Sequence, residues 1–296
     1  MLPHTPHDGS SPPFTIGLVS TEERDWIEVD ARLEEYLLEK QRLWREVPQQ
    51  VFVAEAGSEP AQEEVLELLV AHLPRRFPHT HRLLDGDRML AGPCMVDLAD
   101  RAVPALRRAA NLVQEDLIVM RRCRSGWRLA AGSLSFPSSW HLREKFGQAM
   151  AQIHSKVPGF GEASRNMALI QRMFDSLRPQ HIFVRFNWGI YDGPDLFHPA
   201  QGNGIRKFCA DDGVGQAHLR VERQTVRRMP RTGEILFTIR TYVDPLEALR
   251  RQPGGRELAL SMFEQIGDLT PEQIAYKGLS QERERLLAWL KSVGNQ

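Results

Sequence analysis

The chain has 296 residues, and its 38 basic side chains are balanced by 38 acidic ones, so the formal net charge is zero. That balance argues against a general nucleic-acid binder, which carries a basic surface, and no apolar run approaches the length of a membrane span. Three scattered cysteines, Cys94, Cys123 and Cys209, are too few for a disulfide framework or for the four thiolates of an iron–sulfur cluster, and they suit a reducing cytoplasm.

The N-terminal stretch MLPHTPHDGSSPP lacks the basic and apolar regions of a secretory signal and reads as a disordered leader over residues 1–13. Trp26, Leu33, Tyr36, Leu37 and Trp44 recur near helical spacing and predict a helix over 24–47. A second helix is expected from Ala61 to Leu73, stopped by Pro74, with loops over 74–99 and a short helix near Val103–Asn111. Asp116–Arg122 and Trp127–Phe136 read as a hairpin around Ser125-Gly126. Ser138 can cap a helix over Trp140–His154, ended by Pro158-Gly159, and a further helix covers Ser164–Leu177. Three strands follow, His181–Tyr191, His218–Arg228 and Glu234–Val243, the first two separated by a glycine-rich loop. Helices return over Arg256–Ile266 and Gln281–Ser292, with a turn at Thr270-Pro271 between them.

The middle of the chain thus reads strand–strand–helices–strand–strand–strand. This suits an α+β fold: a five-stranded antiparallel sheet with helices on one face, the element order of a PAS domain, plus N- and C-terminal helical extensions. The expected division is a leader (1–13), an N-terminal helical extension (14–112), a PAS-like core (113–245) and a C-terminal helical segment (246–296).

The run from His218 to Arg228 is unusually charged for a sheet strand. Alternation puts Arg220, Glu222 and Gln224 on one face, and Leu219, Val221, Arg223 and Thr225 on the other. One face must line the core, and an isolated charge buried there needs a partner. Parity does not say which face that is, and a bulge would bring Glu222 and Arg223 together. The fragments Gly202–Gly204 and Gly213–Gly215 lack the third glycine of a dinucleotide fingerprint, and there is no P-loop. His79 and His81 lack a partner at metal spacing, so no zinc site is expected there.

Several stretches occur together in one order: Gly17-Leu18, Trp26–Asp30 (WIEVD), Val113–Leu117 (VQEDL), Phe136–Trp140 (FPSSW), Glu144–Gly147 (EKFG) and Ile153–Gly159 (IHSKVPG). Asn187-Trp188, Leu219–Gln224 (LRVERQ), Thr238–Thr241 (TIRT) and Tyr276–Gly278 (YKG) follow. In these, from about residue 14 to about residue 290, the chain resembles the haem-binding alpha subunit of the haem-dependent oxidative N-demethylases, the dimethylamine monooxygenase type. The resemblance implies a PAS-like haem b domain turned oxygenase. It would oxidise a small secondary amine such as dimethylamine, with release of formaldehyde. Electrons would come from NADPH through a partner reductase carrying FMN and a 2Fe-2S centre. A haem gas sensor, or a small-molecule-binding protein without catalysis, is the alternative on the same scaffold.

His154, in the IHSKVPG stretch at a helix end, is the expected axial ligand of the iron. His141 is second choice, and a thiolate at Cys209 is disfavoured by its glycine-rich surroundings. Glu222 is assigned to the substrate amine, because a carboxylate can pair with a dialkylammonium ion and take its proton. Arg223 is assigned to the oxygen-binding position, Lys145 and Arg240 to the haem propionates, and Asn187 to the substrate pocket.

Overall fold

The computed structural model describes residues 1–85, 87–199 and 213–295. Cys209 and the Gly202–Gly204 fragment lie outside them. Ten strands are described: β1 (Val19–Thr21), β2 (Phe52–Ala54), β3 (His81–Leu83), β4 (Arg88–Ala91), β5 (Cys94–Asp97), β6 (Asp116–Cys123), β7 (Gly126–Ser133), β8 (Ile182–Tyr191), β9 (His218–Arg228) and β10 (Ile235–Pro245). The main sheet runs β1-β8-β9-β10-β6-β7-β2, antiparallel throughout, and β3-β4-β5 form a separate small sheet.

The sheet therefore has seven strands, not five. β8, β9, β10, β6 and β7 are contiguous at its centre, and the short β1 and β2 extend its two edges. Neither addition was visible in the sequence, because three residues are too few to show alternation. The small sheet replaces the loops expected over 74–99. Pro74 does not stop the second helix, which runs to Arg76; a proline in the last turn removes one bond without breaking the rest.

Helices cover both faces. On one face lie α1 (Leu33–Glu46), the short α2 (Pro48–Val51), α3 (Glu59–Arg76) and α4 (Ala105–Ala110). Leu37, Leu69 and Leu106 pack there with Leu117, Val119 and Leu236 of the sheet. The other face carries α5 (Leu142–Lys145), α6 (Met150–Ile153) and α7 (Arg165–Ser176), packed on Ile118, Met120, Leu129 and Val226. Successive residues of β6 thus feed opposite cores, which is why β6 reads as a continuous apolar run. Each such leucine or isoleucine contributes about 1.5–3 kcal/mol by leaving water. α8 (Gly255–Gly267), α9 (Pro271–Tyr276) and α10 (Arg283–Gly294) close one end of the sheet, against Trp188, Leu219 and Val221.

Two further expectations are corrected. The helix expected over 140–154 is broken into α5 and α6, with Gly147 at φ 73° between them, and Ser138 caps neither. The leader is packed rather than loose. Leu2 is 6% exposed and joins the core beside α8 and α10, and its N–H donates to Gln252 Oε1 at 2.9 Å. Next along the chain, His4 Nε2 meets Glu28 Oε2 at 2.8 Å, and His7 is fully buried.

Candidate functional site

A cavity of about 690 Å³ lies between the sheet and α5–α7, within the size range of ligand and cofactor pockets. Strand alternation sets its walls: Glu222, Gln224 and Val226 of β9 face it, with Ile118 and Met120 of β6 and Phe237 and Ile239 of β10. Met150, Ile153, Ile170, Met173 and Phe174 close it from the helices. One end is accordingly apolar. The other, toward Asn187, Arg220 and Glu222, is polar.

His154 sits at the C-terminal cap of α6 and lines the cavity. Its Nδ1 is 2.9 Å from the Met150 carbonyl, which can only accept, so Nδ1 carries the proton. Burial pushes the imidazole pKa below its ordinary value, keeping the ring neutral. Nε2 is left with a lone pair and no hydrogen-bond partner among the described residues. A backbone carbonyl that fixes the tautomer and orientation of a ring in this way is the usual support of a metal-binding histidine.

Glu222 is 6% exposed and is held from three sides. Ser138 Oγ donates to Oε1, Gln224 Nε2 donates to Oε2 at 2.8 Å, and Asn187 Nδ2 donates to Oε2 at 3.3 Å. Asn187 stands directly across from Glu222 in the β8–β9 register. Arg220 Nε donates to Ser138 Oγ at 2.8 Å, so the Ser138 proton must point at the carboxylate. Three donors thus converge on the Glu222 carboxyl oxygens, which accept from all of them. Arg220 itself is tied to the carbonyls of Phe136, Pro137, Asp195 and Leu196, which hold FPSSW against the strand.

Lys145 lines the cavity, and its Nζ donates to the Ile153 carbonyl; burial lowers its pKa. Arg185 of β8 lines it too and was missed by the sequence reading. Its NH1 donates to Gln224 Oε1 at 3.0 Å and its NH2 to the Thr15 carbonyl at 3.3 Å, while its buried Nε has no partner. Burial lowers the Arg185 pKa, against the pull of Glu222. Pairing β8 with β9 would have revealed this residue, because Arg185 faces Gln224 as Asn187 faces Glu222.

Arg223 and Arg240 do not reach the cavity. They stand opposite one another on β9 and β10, with side chains on the far face of the sheet. Arg223 Nε pairs with Glu28 Oε1 at 3.0 Å, and its guanidinium donates to the Trp26 carbonyl at 3.1 Å. Arg240 NH2 pairs with Asp30 Oδ2 at 2.7 Å. The β8–β9 and β9–β10 registers run without a shift, so no bulge brings Glu222 and Arg223 together. Arg223 at the oxygen position and Arg240 at a propionate are therefore corrected: a regular strand sends odd-numbered and even-numbered residues of β9 to opposite faces. His141 is not among the residues that line the cavity. Among the described residues there is no group of three His, Cys, Asp or Glu side chains placed to hold a metal ion, and no helix is long and apolar enough to cross a membrane.

The residues present fit a haem. They supply a neutral imidazole with a free Nε2, apolar walls, and two cations, Lys145 and Arg185, for two acid arms. The partnerless Arg185 Nε is the kind of buried donor that a carboxylate would satisfy. Residues 17–287 match the model of the family described as haem-dependent oxidative N-demethylase, alpha subunit-like. The chain belongs to the haem-dependent oxidative N-demethylase, alpha subunit-like family.

Proposed function

We propose that this chain is the haem-binding catalytic subunit of a monooxygenase that removes a methyl group from a small secondary amine such as dimethylamine. Dimethylamine, dioxygen, NADPH and a proton would give methylamine, formaldehyde, water and NADP⁺. One observation carries this reading: a neutral imidazole with an open Nε2 and a carboxylate anchored by hydrogen bonds share one cavity. A gas sensor calls for an apolar pocket with a lone donor. The carboxylate end favours an amine substrate instead.

His154 would hold the iron of haem b through Nε2, and Lys145 and Arg185 would take its propionates. When bound, haem supplies the activation of dioxygen. The protein's own part is to bind, orient and deprotonate the amine. Glu222 pairs with the dialkylammonium ion and accepts its N–H proton, leaving the neutral amine. Asn187, Gln224 and Ser138 hold the carboxylate in place, while Met150, Met173 and Phe174 keep water from the apolar end. The chain has three cysteines and no complete dinucleotide fingerprint, so the flavin and iron–sulfur chemistry falls to a separate reductase.

The full chain, purified with haem, is expected to show a Soret band that His154→Ala abolishes. Given dimethylamine, oxygen and a reductant, it should release formaldehyde. A protein that takes up no haem, or a haem protein indifferent to every small secondary amine, would overturn the reading.

A further inference from the structure

Over the apolar end of the cavity lies a surface whose charge the fold does not use. α7 is amphipathic: Ile170, Met173 and Phe174 turn inward and line the cavity, while Arg165, Ala168, Leu169 and Arg172 are exposed. Those four exposed positions fall on one helical stripe, so two guanidinium groups flank Leu169, which is 38% exposed. The turn between β6 and β7 lies alongside. Arg122 Nε pairs with Asp175 Oδ1 at 2.9 Å, the Trp127 indole N–H donates to the same oxygen at 2.9 Å, and Arg228 NH2 donates to the Phe174 carbonyl at 2.7 Å. These bonds join the strand ends and the helix into one surface.

That surface is one-sided in charge. Along Arg122–Arg124 and Lys156–Arg178 the exposed ionic side chains are Arg122, Arg124, Lys156, Arg165, Arg172 and Arg178, against Glu162 and Asp175. Asp175 is already paired, and Arg124, Lys156, Arg165, Arg172 and Arg178 form no ion pair among the described residues. α1 shows the ordinary alternative: Arg32 meets Glu35, and Arg42 meets Glu39 and Glu46. A merely solvated face intersperses its signs in that way. A chain of zero net charge that gathers unpaired cations over its cavity presents a target for an anionic partner. An iron–sulfur centre is anionic in itself, because its thiolate and sulfide ligands outweigh the charge of its irons. Resting on the amine-oxidising reading and its separate reductase, we propose that the outer face of α7 and the β6–β7 turn form the docking surface for an acidic 2Fe-2S domain that delivers electrons to the haem.

The position of this face suits the role. α7 alone separates its exposed stripe from the cavity it lines, and a helix with its side chains is about 10–12 Å across. Exposed Lys156 follows two residues after His154, so the surface borders the expected axial ligand as well. Glu222 and Asn187 stand at the other, polar end, so electron donor and amine approach the haem from different ends. A single exposed leucine among cations is the make-up of a brief encounter: transient electron-transfer complexes bury less than about 1,200 Å² and use charge for speed more than for affinity. In each encounter one electron leaves the reduced 2Fe-2S centre, one ferric haem iron becomes ferrous, and no atom is transferred. Two encounters match the two electrons of one NADPH.

The test uses the full haem-loaded chain, with a reduced plant-type 2Fe-2S ferredoxin, an acidic protein, as the probe. Binding is measured by calorimetry, and haem reduction by oxygen-free stopped flow at the Soret band. Arg165→Glu combined with Arg172→Glu should weaken binding and slow reduction about 10- to 100-fold at low salt, the span over which changes at one interface move association rates. Arg124→Glu combined with Arg178→Glu should act in the same direction. Both differences should vanish near 1 M salt, where the screening length is about 3 Å. Arg251→Glu combined with Arg256→Glu alters net charge equally at exposed sites on and before α8, and should leave both readouts near wild type. Reduction by photoreduced deazariboflavin, a small neutral donor, should be the same in every variant, which separates docking from damage to the haem site. A wild type that the ferredoxin neither binds nor reduces, or an α7 pair that behaves like the α8 pair, overturns the docking surface. A chain that docks the ferredoxin through α7 and oxidises no secondary amine keeps the surface and loses the amine reading. One that takes up no haem loses both.

Discussion

The two faces of β9 both carry buried charge, and they close it differently. On the far face, Arg223 and Arg240 each meet a fixed carboxylate built into the fold, and Arg227 stacks on the Trp26 ring. Glu28 meets Arg223, His4 and Tyr242, while Asp30 meets Arg240 and Gln114. The backbone joins in: the Glu28 N–H donates to Glu115 Oε1 at 3.0 Å, and the Asp30 N–H to Gln114 Oε1 at 3.1 Å. WIEVD and VQEDL, two stretches that carry the family resemblance, are thus the two halves of one buried clasp. On the cavity face, Glu222 is gripped by Ser138, Asn187 and Gln224, and Arg185 keeps an unspent donor. Charges on the far face hold the fold together. Those on the cavity face are oriented by the protein and remain available to something else.

If that contrast is right, the largest effect on function comes from the cavity face. Glu222→Gln keeps the side chain's shape and removes its charge. It should lower turnover of a secondary amine about 10²- to 10⁴-fold, with the urea unfolding midpoint little changed. A midpoint that falls as steeply as activity would make Glu222 a structural charge after all.

Lys40→Met asks the opposite question. Lys40 is fully buried on the far side, with Nζ donating to the carbonyls of Ala110, Val113 and Glu115 and lying 3.8 Å from Asp116 Oδ1. Its removal strands a buried carboxylate, and should cost about 3–5 kcal/mol in urea unfolding. The Soret band of the folded fraction should not move.

Gln224→Leu sharpens the comparison within the cavity. Gln224 bridges Arg185 and Glu222, accepting from one and donating to the other. Losing both bonds at a buried site is worth about 1–3 kcal/mol, which should appear as weaker amine binding in calorimetry. An unchanged affinity would mean that Ser138 and Asn187 suffice to hold the carboxylate.

The smallest effect is on pH. Burial lowers the His7 pKa from 6.5 to about 4, so the folded state prefers the neutral ring. Its contribution is present above pH 6.5 and is lost as pH falls toward 4. Burial alone would raise the Glu28 pKa, but His4, Arg223 and Tyr242 hold it down to about 2. Its contribution is present above pH 4.5 and fades on the way down to 2. Hydrogen exchange should therefore show residues 2–8 opening between pH 6.5 and 4, before the clasp at Glu28 does. Simultaneous opening of both would merge the N-terminal segment with the clasp.

Much of the fold was legible locally. The β9–β10 hairpin, β6–β7 and α7 announced themselves through alternation, tight turns and the Ser164 cap, all properties of neighbouring residues. β1–β5 did not, because short strands show too little pattern. Residues 1–13 read as a loose leader because what orders them lies hundreds of positions away, at Gln252 and Gln265. At the candidate site, His154, Glu222, Asn187 and Lys145 were named from their chemistry and from the resemblance, and all four line one cavity. Arg223 and Arg240 were named from the same chemistry and lie behind the sheet.

The sequence by itself determined that β9 is a strand with charge on both sides, since a period of two follows from the backbone alone. It could not say which side would be roofed by α1, α3 and α4 and which would enclose a cavity, because that choice is made by elements distant along the chain. Tertiary structure made it by laying WIEVD and VQEDL over Arg223 and Arg240. Closing those charges left Glu222, on the other side of the same pleat, as the carboxylate that a ligand can meet.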